Sequence, residues 1–195
     1  MTRRLIAAAV AAVIAVGLFA WALTRGLERV MRPADAPAQE TAPPPPADTP
    51  VRHITATLFY ASPDGQHLVP VQREVPFGEG PVEQGRQIVL AQLTMPPAPP
   101  LVAAVPPGAT LRSFYVSERG EAFVDLGREI VTAHSGGSAA ELLTVYAMVN
   151  AVTANLPAIA RVQILIDGRE ADSLAGHVDI RRPLRRNDAL VRESN

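Results

Sequence analysis

A run of nineteen residues without a charge, Leu5 to Leu23, constrains this chain more than any other feature. As an α-helix the run would be about 28 Å long, close to the roughly 30 Å hydrocarbon core of a bilayer. We therefore predict a membrane anchor that crosses the bilayer once. A few N-terminal residues stay in the cytoplasm more easily than a whole domain, so we expect residues 1–4 inside and everything after the anchor outside.

A cleaved signal peptide is the alternative, because Ala20-Trp21-Ala22 has the small-x-small form of a cleavage site. The apolar run is long for a signal peptide, and the charged segment Thr24 to Met31 continues a helical pattern after it. We therefore favour the anchor. The chain contains no Cys, which excludes attachment through a lipid-bearing Cys.

Residues 24–51 form a juxtamembrane segment and a linker. Pro33 to Pro50 reads PADAPAQETAPPPPADTP, where proline removes hydrogen-bond donors and little apolar area is available for a core. In polyproline II conformation these residues would span roughly 55 Å. We expect a semi-rigid spacer between the membrane and the domain that follows.

Composition limits what that domain can do. A formal net charge of −1 argues against nucleic-acid binding, and the absence of Cys excludes thiol nucleophiles and thiolate metal sites. All 18 basic residues are Arg, and without Lys there is no Schiff-base chemistry. Roughly 145 residues remain after residue 51, the size of a single domain.

The first half of the domain shows two strands and a helix. Alternating apolar residues in HITATLFY predict a strand that ends at Tyr60, before the turn residues Ser62 to Gly65. A second strand follows over His67 to Val75, where Pro70 favours a sheet edge. Pro81 then begins a short helix that must end by Met95. Its predicted apolar face consists of Val82, Ile88, Val89 and Leu93.

The second half of the domain again shows two strands followed by a helix, and then a further strand. Leu111 to Ser117 and Glu121 to Leu126 are predicted to form a hairpin. Ser138-Ala139-Ala140-Glu141 has the pattern of a capping box and begins a helix that Pro157 ends, with a buried stripe of Leu142, Val145, Val149 and Val152. Arg161 to Ile166 is a strand that we expect to be parallel to the one before the helix.

The order β-β-α-β-β-α-β predicts an α/β (α+β) fold. We expect one mixed sheet of about five strands with two helices packed on one face.

Several segments resemble the GerMN domain, which occurs in GerM-type sporulation and spore-germination proteins and in LpqB-type lipoproteins. These segments are Thr57 to Tyr60, Leu68 to Val75, Val105 to Leu111, Glu121 to Leu126, Ser138 to Leu142, Val162 to Gly168 and Leu174 to Asp179. The resemblance covers residues 52–184 in a single copy, and we expect 185–195 to be a disordered tail. It implies an extracytoplasmic, membrane-tethered module related to ring-building motifs, used for protein assembly in the bacterial cell envelope, without an established catalytic residue set. The single copy and the transmembrane anchor in place of a lipid-bearing Cys depart from GerM-type proteins and leave a sporulation role open.

Three groups of residues have the types needed for chemistry. Gly136-Gly137-Ser138 could hold an anion on free amides before the helix, although it lacks the Lys of a phosphate loop, and a plain helix cap is favoured. His177 and Asp179 could bind a metal, but no third ligand is near in sequence and a structural histidine is favoured. His134, Ser135 and Asp125 have the types of a catalytic triad without its geometry. We therefore assign no catalytic, cofactor-binding or metal-binding residue.

Charged residues elsewhere favour solvated surfaces. Glu118, Glu121 and Glu129 surround Asp125 in sequence and fit a solvated hairpin end. The densest basic cluster could meet anionic lipid or a cell-wall polymer, but a solvated tail is favoured. Its members are Arg181, Arg182, Arg185 and Arg186.

The leading hypothesis is a single-pass protein of the bacterial inner membrane whose domain binds envelope proteins or a second copy of itself, with no cofactor, nucleic acid or small-molecule ligand. An envelope enzyme acting on peptidoglycan or a related polymer is the alternative, with His177 and a carboxylate as working residues. A glycan or small-ligand binder is the third hypothesis. The single Trp, Trp21, lies in the anchor and is not available to stack on a sugar.

Overall fold

The computed structural model describes Trp21, Arg25 and residues 52–192. Trp21 and Arg25 are helical, and the guanidinium carbon of Arg25 lies 4.8 Å from the centre of the Trp21 ring. The rest of the predicted anchor and the Pro-rich linker lie outside the described residues. Among the residues described, no helix has the length and apolar character needed to cross a membrane.

The first half of the domain contains the two predicted strands and the predicted helix. Strands β1 (His53–Ala61) and β2 (Leu68–Pro76) pair antiparallel, and helix α1 covers Gly80–Thr94. α1 has proline in its first turn and ends one residue before Met95, as predicted. Val82, however, is 43% exposed, and the buried face of α1 includes the polar side chains of Gln84 and Gln92.

The second half contains four strands and two helices: β3 (Leu111–Val116), β4 (Glu121–Leu126), α2 (Glu129–Thr132), α3 (Ser138–Asn155), β5 (Arg161–Ile166) and β6 (Arg169–Glu170). The strands form one sheet in the order β3-β4-β5-β6. The predicted hairpin of β3 and β4 is confirmed, and β5 runs parallel to β4 as the crossover requires. The short helix α2 was not predicted.

The prediction of one mixed sheet is wrong, because β1 and β2 form a separate two-stranded sheet. The two sheets stay separate because the edge of β1 away from β2 is already occupied. Side-chain amides lie there in the positions that a third strand would take. The Asn155 amide accepts from the N–H of Thr57 and donates to its carbonyl, each at 2.8 Å. Gln92 does the same for Phe59 at 2.8 and 2.7 Å. A third residue, Ala61, exchanges two backbone bonds of 2.9 Å with Val102.

The helices contact both sheets, so their burial is not confined to one face. Val145 and Met148 of α3 pack against the four-stranded sheet, while Leu143 and Ala147 pack against the two-stranded sheet. α1 divides in the same way, with Val89 in the first cluster and Ile88 in the second. A helix that is apolar nearly all round is typical of such a central position. Val145, Val149 and Val152 of the predicted stripe of α3 are buried, but the prediction is wrong for Leu142, whose neighbour Leu143 is buried in its place.

The segment after residue 184 differs from the predicted disordered tail. Asn187 precedes a short 3₁₀ helix, Asp188–Leu190, and its backbone is bonded twice by the Asn150 side chain at 3.0 and 3.1 Å. The N–H of Arg192 donates to the Leu68 carbonyl at 2.9 Å. The folded domain thus continues to at least Arg192.

Candidate functional site

An open pocket of about 800 Å³ lies before the start of α3, where Gly136 and Gly137 both have positive φ. Its walls come from three loops around residues 61–65, 102–107 and 133–140. Hydroxyl groups, one imidazole and backbone amides line it, together with apolar side chains, but its lining contains no carboxylate and no guanidinium. Such a set can hold a small molecule through hydrogen bonds and apolar contacts.

Both ring nitrogens of His134, in the wall of this pocket, have hydrogen-bond partners. Its Nδ1 accepts from the N–H of Gly136 at 2.9 Å, which places the proton on Nε2. Nε2 lies 3.1 Å from the hydroxyl of buried Thr144, which in turn lies 2.6 Å from the carbonyl of Ala104. His134 thus connects the loop before α3 to the helix itself. Both of its ring nitrogens have partners, whereas a general base needs a nitrogen with a free lone pair.

Asp125 lies at the carboxyl ends of β4 and β5 and does not meet His134 or Ser135. It is 6% exposed, and its Oδ1 accepts from the N–H of Gly168 at 2.7 Å. Its Oδ2 lies 3.3 Å from Arg112 Nε, and Arg112 also lies 3.6 Å from Asp167. Asp167 has a φ of 51° in the turn after β5. Asp125 therefore fixes the turn of 167–168 against the neighbouring strand.

Glu141 is the polar residue whose role the sequence did not reveal. Its side chain is 0% exposed. Oε1 accepts from the N–H groups of Leu174 and Ala175 at 2.9 Å each. Oε2 accepts from the N–H of His177 at 2.8 Å and lies 3.1 Å from its Nδ1. One carboxylate thus holds the whole loop of 174–177.

The pKa of Glu141 reflects two opposed effects. Burial disfavours the charged form and raises the pKa, but the N–H groups of Ala175, His177 and Val178 stabilise the carboxylate, and the His177 side chain adds to them. The pKa therefore lies below its ordinary value. The carboxylate stays ionised at neutral pH although it is buried.

The predicted capping box is wrong. α3 begins at Ser138 as expected, but the residue at the N-cap is Gly137, and no side chain of the described residues caps the helix. The carboxylate of Glu141 points to the loop of 174–177 and not back to the first turn. The Ser-x-x-Glu pattern located the start of the helix, and no local signal connects Glu141 to a loop 33 residues later.

His177 and Asp179, the predicted metal-ligand pair, have separate partners. His177 contacts Glu141, whereas Asp179 receives two bonds from the Arg181 guanidinium, at 3.0 and 2.7 Å, and one from its backbone N–H. These bonds hold the pKa of Asp179 well below its usual value. No group of three or more acidic, His or Cys side chains suited to a metal ion occurs in the part of the chain that the structure describes.

The remaining charged candidates are surface residues. Glu121 pairs with Arg161 at 3.3 Å, and Glu129 lies 3.3 Å from the Thr110 hydroxyl. In the basic cluster Arg181 pairs with Asp179 and Arg186 with Asp188, and Arg182 and Arg185 are exposed.

Comparison with known proteins identifies the family. The model of the Germane family, described as sporulation and spore germination, matches residues 57–172. The crystal structure of a candidate lipoprotein from Clostridium perfringens is 25% identical, over 70% of this chain and 89% of that one, with a TM-score of 0.50. A comparison with curated proteins finds no match.

Two structures of the sporulation protein GerM from Bacillus subtilis are also similar. Its first GerMN domain is 17% identical over 68% of this chain and 98% of that one, with a TM-score of 0.53. Its tandem GerMN domains are 16% identical, with a TM-score of 0.57, and the match covers 69% of this chain and 46% of the tandem. At these identities the similarity to GerM concerns the fold, and one domain of the tandem corresponds to this chain.

Proposed function

Because this chain belongs to the Germane family of sporulation and spore germination domains, we propose that it is an interaction and assembly module of the bacterial cell envelope. The Leu5–Leu23 run would anchor it once in the inner membrane with the N-terminus inside. The Pro-rich segment would then hold the domain on the extracytoplasmic side. The similarity to a candidate lipoprotein supports a membrane-associated location, although here an apolar run takes the place of a lipid-bearing Cys.

The observation that favours binding over catalysis is how the domain uses its candidate polar groups. His134 bonds Gly136 and Thr144, Asp125 bonds Gly168, and His177 contacts Glu141. Each bond fixes a loop next to a helix or a strand. A general base needs a lone pair directed at a substrate, whereas these side chains are directed at the protein itself.

Site-specific photo-crosslinking in intact cells tests the proposal. The chain has no Lys, so amine-reactive reagents reach no side chain, and a photoreactive amino acid at exposed positions is the suitable probe. Positions on different faces of the domain, such as Tyr115 and Val82, are each 43–44% exposed. We expect one face to capture a defined envelope protein or a second copy, while the other face gives free monomer.

Two results would contradict the proposal. One is recovery of monomer alone from every face of the domain. The other is loss of function in a folded Ser135→Ala or His134→Ala variant that still crosslinks normally, which would favour the enzyme hypothesis. A C-terminal alkaline phosphatase fusion tests the orientation, since the enzyme is active only outside the cytoplasm.

A further inference from the structure

The strand edges of this domain differ in how they are protected. An unpaired edge presents N–H and C=O groups that can pair with another chain, and proteins usually cover it. The edge of β1 is occupied by Gln92, Asn155 and Val102, as described above. The edge of β2 contains Pro70 and Pro76, which have no N–H to offer, and the Leu68 carbonyl there is bonded by Arg192.

The far side of β5 is also covered. Val162 exchanges two backbone bonds of 2.8 Å with Leu184, and the two residues of β6 pair with the end of the strand. Few backbone groups of β5 therefore remain unpaired on this side. β6 itself is only two residues long and offers little edge for a further strand.

The outer edge of β3 lacks such cover among the described residues. β3 is the end strand of its sheet, and Ser117 donates to the Glu121 carbonyl at 2.9 Å. Since hydrogen-bonded and non-hydrogen-bonded pairs alternate, Tyr115 bonds β4, and the N–H and C=O groups of Phe114 and Val116 point away from it. No strand within residues 52–192 pairs with β3 on that side.

Aromatic side chains mark the face beside this edge. Tyr115 is 44% exposed, on the face of the sheet directed away from Phe114 and the helices. Its ring stacks on that of Phe123 at a centroid distance of 5.0 Å and an angle of 14°. Exposed Tyr next to an open strand edge is characteristic of interfaces.

The edge is complementary to itself. If two copies of β3 pair antiparallel with Phe114 opposite Val116, Tyr115 faces Tyr115 of the other copy in a non-hydrogen-bonded pair, where side chains approach most closely. The same register places the outward N–H and C=O groups of Phe114 opposite those of Val116 of the other copy, and the two-fold axis repeats this pair of bonds on both sides of Tyr115.

We propose that a second copy of this chain binds at the β3 edge, with Tyr115 on the two-fold axis, so that two four-stranded sheets become continuous. This inference rests on the proposed assembly function and names its surface and partner. Four main-chain hydrogen bonds and a central aromatic pair make a small interface, and weak contacts of this kind gain from the high local concentration that tethering provides. The test therefore uses the full anchored chain in membranes.

The natural absence of Cys makes disulfide crosslinking a clean test. In Tyr115→Cys the two Cβ atoms of the symmetric pair would lie about 4.5–5.5 Å apart, close enough for a disulfide after small adjustments. Val82→Cys on α1 is the matched control, because Val82 is 43% exposed and Tyr115 44%. On mild oxidation we expect a disulfide-linked dimer from Tyr115→Cys and about tenfold less from Val82→Cys.

A proline variant tests the edge. The N–H of Val116 points away from β4, so Val116→Pro in the Tyr115→Cys background removes an outward donor while the bonds between β3 and β4 remain. We expect dimer formation to fall about tenfold, because two of the four main-chain bonds are lost. Val116→Ala, which keeps the N–H, should give the same dimer yield as Tyr115→Cys alone.

Equal dimer yields at residues 115 and 82, or no effect of Val116→Pro, would overturn the inference. If photo-crosslinking captured a different envelope protein while Tyr115→Cys stayed monomeric, the β3 dimer would be refuted and the proposed function would remain supported.

Discussion

The buried carboxylate of Glu141 allows the sharpest prediction, through the substitution Glu141→Gln. The side chain keeps its size and shape, but one oxygen becomes an NH₂ group. In the native structure each carboxylate oxygen faces two donors, on Leu174 and Ala175 at one oxygen and on His177 at the other. Whichever way the amide turns, its NH₂ group faces N–H groups that need an acceptor.

The expected cost follows from these contacts. A hydrogen bond to a charged group contributes about 1.5–3 kcal/mol, and the substitution removes two of them. Part of this loss is recovered when the loop of 174–177 opens to water. We therefore expect the free energy of unfolding to fall by about 3–4 kcal/mol, and Tm by about 10 °C for a domain of this size.

Urea and thermal unfolding of residues 50–195, which form one compact unit, measure the effect. Glu118→Gln is the matched control, because the same chemical change is made at an exposed position. A loss within about 0.5 kcal/mol of that control would refute the assigned role of Glu141, since surface substitutions usually stay within this range.

The pH dependence of the same variant gives an independent check. The folded-state pKa of Glu141 is lowered, so its contribution to stability is present above the unfolded-state pKa of about 4.3 and is lost as the pH falls through the folded-state pKa. The difference in unfolding free energy between wild type and Glu141→Gln should be largest near neutral pH and should shrink in acid. A difference that grows in acid would contradict the assignment.

Two further substitutions test the packing between helices and sheets. Gln92→Leu leaves the N–H and C=O groups of Phe59 without partners. We expect the free energy of unfolding, measured in urea, to fall by about 2–4 kcal/mol. The control Gln87→Leu, on the more exposed side of α1, should lower it far less. Gly85→Ala should lower Tm despite the higher helix propensity of Ala, because its Cβ would lie 2.3 Å from the Phe114 ring; a raised Tm would show that Phe114 can move aside.

The separate strands and helices could be predicted because their signals are local. The alternation in β1, the turn residues of the β3–β4 hairpin and the prolines that flank α1 each act over a few residues. The division into two sheets could not be predicted, because it depends on Asn155 reaching Thr57, 98 residues away, and on Gln92 reaching Phe59, 33 residues away. No periodicity marks a glutamine or asparagine as a substitute for a strand.

The order of the C-terminal segment could not be predicted either, because it depends on a residue distant in sequence. Pro183, Asn187 and Asp188 are residues that disordered tails favour, and their composition predicted one. What orders the segment is the side chain of Asn150, a fully buried residue of α3 that bonds the backbone of Asn187 twice. Composition describes what a segment can do alone, whereas order here comes from a partner in the core.

The candidate site shows why residue types alone favoured chemistry that the geometry does not support. His134, Asp125 and His177 were selected because their side chains can act as acids, bases or ligands, and the same capacity makes them useful for holding loops. A small domain without disulfides has to fix its long connections by other means. Glu141 does this most completely, since one buried charge accepts from the backbone N–H groups of a whole loop and also contacts a ring nitrogen. Side-chain amides bond the edge of β1, and the Glu141 carboxylate bonds the loop of 174–177. Both arrangements meet one requirement, that buried backbone groups have hydrogen-bond partners. The outer edge of β3 is where a second chain could meet that requirement.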